Sequence, residues 1–386
     1  MNRLDMAVGV LGDLIAFPTV SSDSNLELIA YLSDHLGRLG ARTRITADAT
    51  GTKANFFCTF GPETDGGIVL SGHTDVVPVD GQEWSSDPFA MTERDGCLYG
   101  RGACDMKGFI AAVLATAPDF AAATLTRPLH IAMTYDEEVG CLGARALIDE
   151  LAREDLHPSL AIIGEPTSMR MIDGHKGCCE YTTEFTGLEG HGSAPEQGVN
   201  AVEYAVRYAA RLMELAQELE KRAPSASRFD PPWTTLQIGR IAGGTARNII
   251  AGHCSLEWEM RPVQSSDATH VLSMIDAFAE KTLKPAMRER DPRADIVRHV
   301  VGEVAALIPT PENQVVDIVA ALTGANAADV VSFGTEAGLF QEYGLDCVVC
   351  GPGSIEQAHK PDEFVARDQL AACLAMLDGL TDRLAT

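Results

Sequence analysis

Short apolar runs alternate with longer amphipathic segments through the first half of the chain. The apolar runs have the length of buried strands and lie at 55–60, 67–72, 129–135 and 160–165. The segments between them, with apolar residues at the spacing of a helix, lie at 24–40, 107–123 and 141–154. Strands that are apolar on every face and alternate with helices predict an α/β fold with flanking helices and a mostly parallel central sheet.

The hydrophobic pattern changes after residue 177. The strand that begins at Cys178 alternates apolar and polar residues, as expected of a half-buried strand. A long amphipathic helix, two more strands, a second helix and a last strand at 294–303 complete the order βαββαβ, which predicts a ferredoxin-like unit. We therefore expect a large domain over 1–177 and 304–386, interrupted by a smaller domain over 178–303.

Charge and hydropathy restrict the partners. The formal net charge of −25 would repel nucleic acid phosphates, so nucleic acid is excluded as a partner. No apolar run is long enough to cross a bilayer. Asp5 and Asp13 interrupt the apolar pattern of the N-terminal segment, which favours an amphipathic helix over a signal peptide. We expect a cytoplasmic protein without a membrane partner.

Imidazole and carboxylate side chains follow several of the predicted strands or lie in the glycine-rich loop 99–108. These residues are His73, Asp75, Asp105, Glu137, Glu138, Glu165 and His359. Each of them alone is more simply explained as a structural histidine or a turn-capping acid. Strand ends in open α/β sheets meet at one edge, however, and acidic groups gathered there must be neutralised. Together the residues predict a divalent metal site.

The types of these side chains indicate the metal. Two imidazoles with several carboxylates suit two ions of Zn²⁺, with Co²⁺ or Mn²⁺ in its place, whereas Ca²⁺ would take oxygen ligands only. In one division, His73 and Glu165 hold one ion, Glu138 and His359 hold the second, and Asp105 bridges them. Two ions held in this way are a known device for hydrolysis.

Two further acids have expected roles beside the metals. Asp75, two residues after His73, can accept the other ring N–H and fix the tautomer, or it can simply cap a turn. Glu137, next to Glu138, can act as a general base toward water, or it can belong to a solvated acidic loop if no metal is present.

Six motifs in this order span nearly the whole chain: SGHTDVVPV, YGRGACDMKG, DEEVG, GEPT, GHGSAP and AHKPDE. Together they resemble the dinuclear zinc aminoacylase/carboxypeptidase family of amidohydrolases. The resemblance implies the two-domain layout, with the smaller domain as a lid that also forms a homodimer. It implies the same metal ligands, Glu137 as the base, Asp75 as the orienting residue and a cis peptide after Asp105. His191 would stabilise the oxyanion, from its own chain or across the dimer.

Within the family, the segments GEPTSMRMIDGHKG and FGTEAGLFQ resemble the branch that removes the acetyl group from N²-acetyl-L-ornithine. That resemblance implies a small N-acyl amino acid substrate with a free α-carboxylate and a side-chain ammonium. Arg261 would clamp the carboxylate, unless it is an ordinary surface arginine. Asn248 would donate a hydrogen bond from the lid. Thr335 and Glu336 would belong to the substrate loop, with Glu336 facing the ammonium.

Other functions remain open. Succinyl-diaminopimelate desuccinylase and a broader N-acyl amino acid deacylase would use the same chemistry on other acyl amino acids. A non-catalytic, ligand-binding member would be expected to lack a ligand or the base, and here every matching position is filled.

Overall fold

The computed structural model describes residues 2–385. The helices are α1 Arg3–Ile15, α2 Leu26–Gly37, α3 Gly108–Ala122, α4 Leu142–Arg153, α5 Ala201–Glu220, α6 Ser265–Phe278, α7 Lys284–Arg288, α8 Gln314–Thr323, α9 Ala337–Tyr343 and α10 Arg367–Ala385. Strands β1 to β8 are Arg42–Ala47, Ala54–Phe60, Ile68–His73, Thr92–Arg94, Cys97–Tyr99, Leu129–Thr134, Leu160–Pro166 and Ile172–His175. Strands β9 to β17 are Cys178–Thr186, Gly190–His191, Thr235–Gly243, Ile249–Ile250, His253–Arg261, Asp295–Val304, Asp329–Val331, Asp346–Gly351 and Phe364–Ala366.

The large sheet has eight strands in the order β1-β2-β6-β3-β7-β16-β8-β15. Its four central strands, β6, β3, β7 and β16, run parallel to one another. Strands β1 and β2 pair antiparallel, β2 runs antiparallel to β6, and β8 runs antiparallel to β16. The predicted α/β class is confirmed, while the sheet as a whole is mixed, with a parallel centre and antiparallel flanks.

Burial of the central strands explains why their sequences are apolar throughout. Every residue of β2, β3, β6 and β7 is buried. Helix α3 is apolar on most of its surface and packs against α1 and α10. Since helices cover such a strand on both faces, neither face needs polar residues, and the alternation that marks a half-exposed strand is absent.

The chain divides into two compact units. Unit 1 comprises 2–174, 309–330 and 335–385 of the described residues, and unit 2 comprises 175–308 and 331–334. Unit 2 begins three residues before the predicted inserted domain at 178–303 and continues five residues beyond it, with the short segment 331–334 in addition.

Unit 2 contains an antiparallel sheet in the order β11-β13-β9-β14. Strands β9 and β13 alternate intermediate and buried residues along their length. Their buried residues, which include Tyr181, Phe185 and Trp258, join an apolar cluster with residues of α5 and α6. The alternation therefore arises because helices cover only one face of this sheet.

Among the described residues, no helix is long and apolar enough to cross a membrane.

Candidate metal centre

Three strands of the parallel centre end beside one another in unit 1. His73 is the last residue of β3, and Glu165 lies near the end of β7, which pairs with β3. On the other side of β3, His73 is in register with Thr134, the last residue of β6. Glu137 and Glu138 follow that strand after a short turn. Parallel pairing therefore places these side chains at one edge of the sheet, as expected for strand carboxyl ends.

Two loops supply the remaining predicted ligands. Asp105 lies in the segment Ala103–Lys107, which follows Gly102 with a φ of 80°, and its own backbone is not helical. The peptide between Asp105 and Met106 is cis, as the family resemblance implied. His359 lies in the loop between β16 and β17 and has a φ of 63°. The left-handed conformation is uncommon for a residue other than glycine and is typical of functional sites.

Asp105 lies between the two imidazoles and directs one oxygen toward each of them. Its Oδ1 is 3.0 Å from Nε2 of His73, and its Oδ2 is 3.4 Å from Nε2 of His359. Nε2 of His73 is also 3.6 Å from Oε1 of Glu165. Nε2 of His359 is 3.0 Å from Oε2 of Glu138. The structure thus brings all five predicted ligands together in two groups that share Asp105.

The candidate base, Glu137, lies in the same cluster. Its carboxylate, Glu165 and His73 offer ligand atoms that all lie within 4.8 Å of one another. Burial, together with the charges of Glu138 and Asp105, raises the pKa of Glu137 well above its usual value, although His73 opposes the shift. A carboxylate with a raised pKa is better suited to accept and return a proton near neutral pH.

Burial and close contact also shift the pKa values of the ligands. Burial disfavours a charged His73, but a hydrogen bond to Asp105 and the charge of Glu165 outweigh it and raise the pKa of His73. Hydrogen bonds to Asp105 and Glu138 raise the pKa of His359 to about 10. Burial and the charge of Asp105 raise the pKa of Glu165 well above its usual value. These shifts favour the protonated forms of both histidines and of Glu165.

The donor set fits divalent cations. Oε1 of Glu165 is buried and has no hydrogen-bond partner among the described residues. A cation would bind to that oxygen and neutralise the surrounding carboxylates, whose charge is otherwise balanced only by protons. His73, Asp105 and Glu165 would hold one ion. Asp105, Glu138 and His359 would hold the other.

The structure places the main chain of Asp75 closer to Nδ1 of His73 than its carboxylate. Nδ1 of His73 lies 2.9 Å from the backbone carbonyl oxygen of Asp75, and 3.6 Å from its carboxylate. The carboxylate instead accepts hydrogen bonds from Ser21 Oγ and from the backbone N–H groups of Glu137 and Glu138. Asp75 therefore contacts His73 through its main chain and holds the acidic loop through its side chain.

Thr335 and Glu336, which the sequence predicts to belong to a substrate loop, are both buried in unit 1. Oγ1 of Thr335 accepts a hydrogen bond from the N–H of Ala337. The Glu336 side chain is only 1% exposed, and its two oxygens accept hydrogen bonds from the hydroxyls of Ser71 and Thr134. These surroundings favour a structural role for Glu336 over the expected contact with a substrate ammonium.

The predicted site residues of unit 2 are less buried and are not all neighbours. His191 is exposed, and its Nδ1 contacts Ser193 Oγ at 2.7 Å. Strand β10 pairs with β12, so His191 and Asn248 lie near each other, with the Asn248 carbonyl accepting from the N–H of Gly192. Arg261, at the end of β13, donates from Nε and Nη2 to Glu259.

The sequence interpretation missed two charged residues of the centre in unit 1. Lys53 donates to the carboxylate of Asp136, the residue before Glu137, and so helps to hold that loop. Glu363 accepts from the backbone N–H groups of Gly102 and Asp105, in the loop that contains the predicted bridging ligand. Glu363 could have been noticed, because it lies within the AHKPDE motif beside His359, whereas Lys53 lies in no motif.

The comparisons with known proteins assign the chain to a family. Residues 69–383 match the model of peptidase family M20/M25/M40. The chain belongs to this family. It is 36% identical to acetylornithine deacetylase of Pasteurella multocida, with 100% of both chains covered. It is 37% identical to acetylornithine deacetylase of Shigella sonnei, with 94% of each covered.

A solved structure supports the same family fold. The Bacillus subtilis YXEP protein, described as a dinuclear metal binding peptidase of the M20 family, matches with a TM-score of 0.65. The match covers 98% of this chain and 97% of that protein at 16% sequence identity. At this identity the likeness concerns the fold, and the family's large mixed sheet with flanking helices is what the two share.

Proposed function

We propose that the protein hydrolyses the acetyl amide of N²-acetyl-L-ornithine to L-ornithine and acetate. The observation that carries the proposal is the placement of Asp105 between His73 and His359. Glu165 lies beside His73, and Glu138 lies beside His359. The full-length similarity to two acetylornithine deacetylases selects this substrate among the acyl amino acids.

The metal centre is proposed to hold two divalent ions. A set of imidazoles and carboxylates without thiolates favours Zn²⁺, and Co²⁺ can replace it. When bound, such ions polarise the amide carbonyl and make water more acidic. Asp105 fits the bridging position because its two oxygens face different histidines.

Glu137 is the residue that we expect to move the proton. It takes a proton from the attacking water as the new bond to the acyl carbon forms. It then gives that proton to the amine nitrogen as the carbon–nitrogen bond breaks, so that ornithine and acetate leave. Its place in the group with His73 and Glu165 supports this role, and Asp75 positions its backbone.

The inserted unit is proposed to be a ferredoxin-like lid that also forms a homodimer. The strand order β11-β13-β9-β14, with helices α5 and α6 between strands, supports the first part. The edge strand β14 carries the exposed residues Val297, Val300 and Val301, and an apolar edge of this kind favours pairing with a second chain. His191 is then proposed to donate to the oxyanion. The expected cytoplasmic location stays a prediction from the sequence.

The test of this function compares substrates and one matched pair of variants. The protein loaded with Zn²⁺ or Co²⁺ is expected to release ornithine from N²-acetyl-L-ornithine, and to act more slowly on N-succinyl-L,L-diaminopimelate. Glu137→Gln is expected to keep both metal ions and to lower kcat by about 10²–10⁴-fold or more, since a general base is lost. Metal content and ornithine release are measured together.

The control for this test is Glu27→Gln, which removes an exposed carboxylate of α2. Its turnover should equal that of the unaltered protein. Normal turnover by Glu137→Gln would refute the assignment of the base. Faster release of succinate than of acetate would refute the assignment of the substrate and favour the desuccinylase.

A further inference from the structure

Glu363 is a buried carboxylate with four hydrogen-bond donors around it. Its Oε1 accepts from the backbone N–H groups of Cys104 and Asp105, at 2.9 and 3.0 Å. Its Oε2 accepts from the N–H of Gly102 at 3.1 Å and from Nη1 of Arg101 at 2.6 Å. The side chains of Glu363 and Arg101 are both only 1% exposed. This one carboxylate therefore holds the whole backbone segment that leads to the bridging ligand.

The small sheet explains why Glu363 lies at this position. Glu363 directly precedes β17, which pairs antiparallel with β5 from Phe364 opposite Tyr99. The pairing continues one step further, since the N–H of Gly100 donates to the Glu363 carbonyl at 3.0 Å. A segment from near the C-terminus is thereby fixed against the loop that contains Asp105, and the Glu363 side chain turns into that loop.

The same network reaches the second histidine ligand. Nη2 of Arg101 donates to Oε1 of Gln82 at 2.5 Å, and Nε2 of Gln82 donates to the backbone carbonyl of His359 at 2.9 Å. Arg101 also donates to the carbonyl of Lys360, the next residue. The chain of contacts from Glu363 through Arg101 and Gln82 thus positions the backbone of His359 as well as that of Asp105.

The other metal position shares Asp105, but its two remaining ligands depend on different supports. His73 and Glu165 lie at the ends of β3 and β7, whose positions are fixed by the ladder between them. His73 is further held by its own contact with the Asp75 carbonyl. We propose that Glu363 is a positioning residue for the metal held by Asp105, Glu138 and His359, and that it contributes much less to the metal held with His73 and Glu165.

This inference rests on the proposed function, because it assumes two bound ions. A glutamine at position 363 has nearly the shape of glutamate but presents one acceptor and one N–H₂ donor. Four donors converge on the native carboxylate, so the amide group would oppose either the backbone N–H groups or Arg101. The substitution should therefore loosen the bridging loop without removing a metal ligand.

The experiment measures the two metal affinities of the full chain by titration of the metal-free protein with Zn²⁺ against a chelating competitor. For Glu363→Gln we expect one affinity to fall by about 10–100-fold, as for other supporting contacts of metal ligands, and the other to change by less than about threefold. Titration with Co²⁺ should show an altered visible spectrum for the weakened ion only. Glu356→Gln, an exposed carboxylate of the same loop, is the control and should leave both affinities unchanged.

Two combinations identify the weakened position. Glu363→Gln combined with His359→Ala should retain one tight ion, because both changes affect the same position. Glu363→Gln combined with Glu165→Gln should retain none. Gln82→Ala, which leaves Glu363 and its backbone contacts in place, should weaken the same ion as Glu363→Gln to a smaller extent, and it provides the test if Glu363→Gln does not fold.

Equal weakening of both ions, or weakening of neither, would overturn the positioning role of Glu363. A full effect of Glu363→Gln with no effect of Gln82→Ala would restrict the role to the Asp105 loop and overturn its extension to His359. Failure of the unaltered protein to bind two ions would instead refute the proposed function.

Discussion

Two buried carboxylates, Asp267 in unit 2 and Glu165 in unit 1, have different surroundings. In unit 2, Asp267 is completely buried, and its oxygens accept from Arg222, Gln264 and Thr234. In unit 1, Glu165 is buried at the end of β7, and its Oε1 accepts no hydrogen bond from the described residues. Burying an ionised group without hydrogen-bond donors is costly. The protein provides donors to Asp267, whereas it provides none to Oε1 of Glu165.

The difference separates a structural acid from a functional one. Asp267 lies in the first turn of α6, where its contacts stabilise the start of the helix. Glu165 and Glu137 of unit 1 lie beside other acids and a histidine, and burial raises the pKa of both carboxyl groups well above its usual value. A buried carboxylate oxygen that lacks a hydrogen-bond donor at a strand end, rather than burial alone, indicates a site for a cation.

Metal binding should therefore stabilise unit 1 and leave unit 2 unchanged. An ion present at one hundred times its dissociation constant adds about 2.7 kcal/mol to the free energy of unfolding of the part that binds it. The measurement is thermal unfolding with and without Zn²⁺, together with hydrogen exchange to locate the protection. Equal protection of the α6 region and of the ends of β3 and β7 would contradict the comparison.

The variant Asp267→Asn should have the opposite pattern, with a change in stability and no change in metal binding. Removing a charged acceptor from three donors should lower the free energy of unfolding by about 1–3 kcal/mol, with or without metal. The metal affinities should be those of the unaltered protein, since Asp267 belongs to unit 2.

Arg261 tests whether a paired residue of unit 2 also acts on the substrate. If it clamps the α-carboxylate, Arg261→Ala should lower kcat/KM by about tenfold or somewhat more, because a charge-assisted pair is lost, while metal content stays the same. Arg240→Ala is the matched control, since Arg240 lies on the neighbouring strand β11 and pairs with Glu257 at 2.8 Å. Equal kinetics for both variants would mean that Arg261 only pairs with Glu259.

Each unit also contains a buried histidine whose effect on stability is confined to acidic pH. Burial lowers the pKa of His130 in unit 1 and of His175 in unit 2 to about 4, against a usual value of 6.5. Between pH 6.5 and 4 the unfolded chain therefore binds a proton that the folded chain refuses. The free energy of unfolding should fall, as pH falls through this window, by about 1.4 kcal/mol per pH unit for each histidine.

The measurement of this effect is the difference between the unaltered protein and His130→Gln, which cancels the titration of the metal ligands. The variant should show a slope that is shallower by up to about 1.4 kcal/mol per pH unit below pH 6.5, and the same slope above it. Identical slopes for the two proteins would show that His130 becomes protonated in the folded state.

Much of the fold and of the candidate site could be predicted from the sequence. The predicted strands at 55–60, 67–72, 129–135 and 160–165 correspond to β2, β3, β6 and β7 within two residues at each end. Long apolar runs and helical periodicity report burial directly, which is why these elements were recoverable. The gathering of His73, Glu138 and Glu165 could be predicted because the rule for strand ends requires only that the strands be parallel neighbours, whereas Asp105 and His359 come from loops that this rule does not cover.

Other features were decided by contacts between distant parts of the chain. The helical segment predicted at 24–40 begins at Leu26, after Asn25, whose side chain bonds the backbone of Ala54 instead of the helix. The antiparallel flanks of the sheet were equally hidden, because a fully buried strand has the same composition in either direction. The short strands β4, β5 and β17 contain too few residues for a pattern to be recognised.

The sequence by itself determined which residue types carry the chemistry and which strands they follow, because hydrophobic periodicity and the order of elements along the chain are local properties. Only the tertiary structure decided how those residues are held: the carbonyl of Asp75 on His73, the hydroxyls around Glu336, and the four donors around Glu363. Each of these contacts joins residues through backbone geometry or across long stretches of chain. A hydrogen bond depends on distances of a few tenths of an ångström, and no pattern of residue types along the chain specifies them.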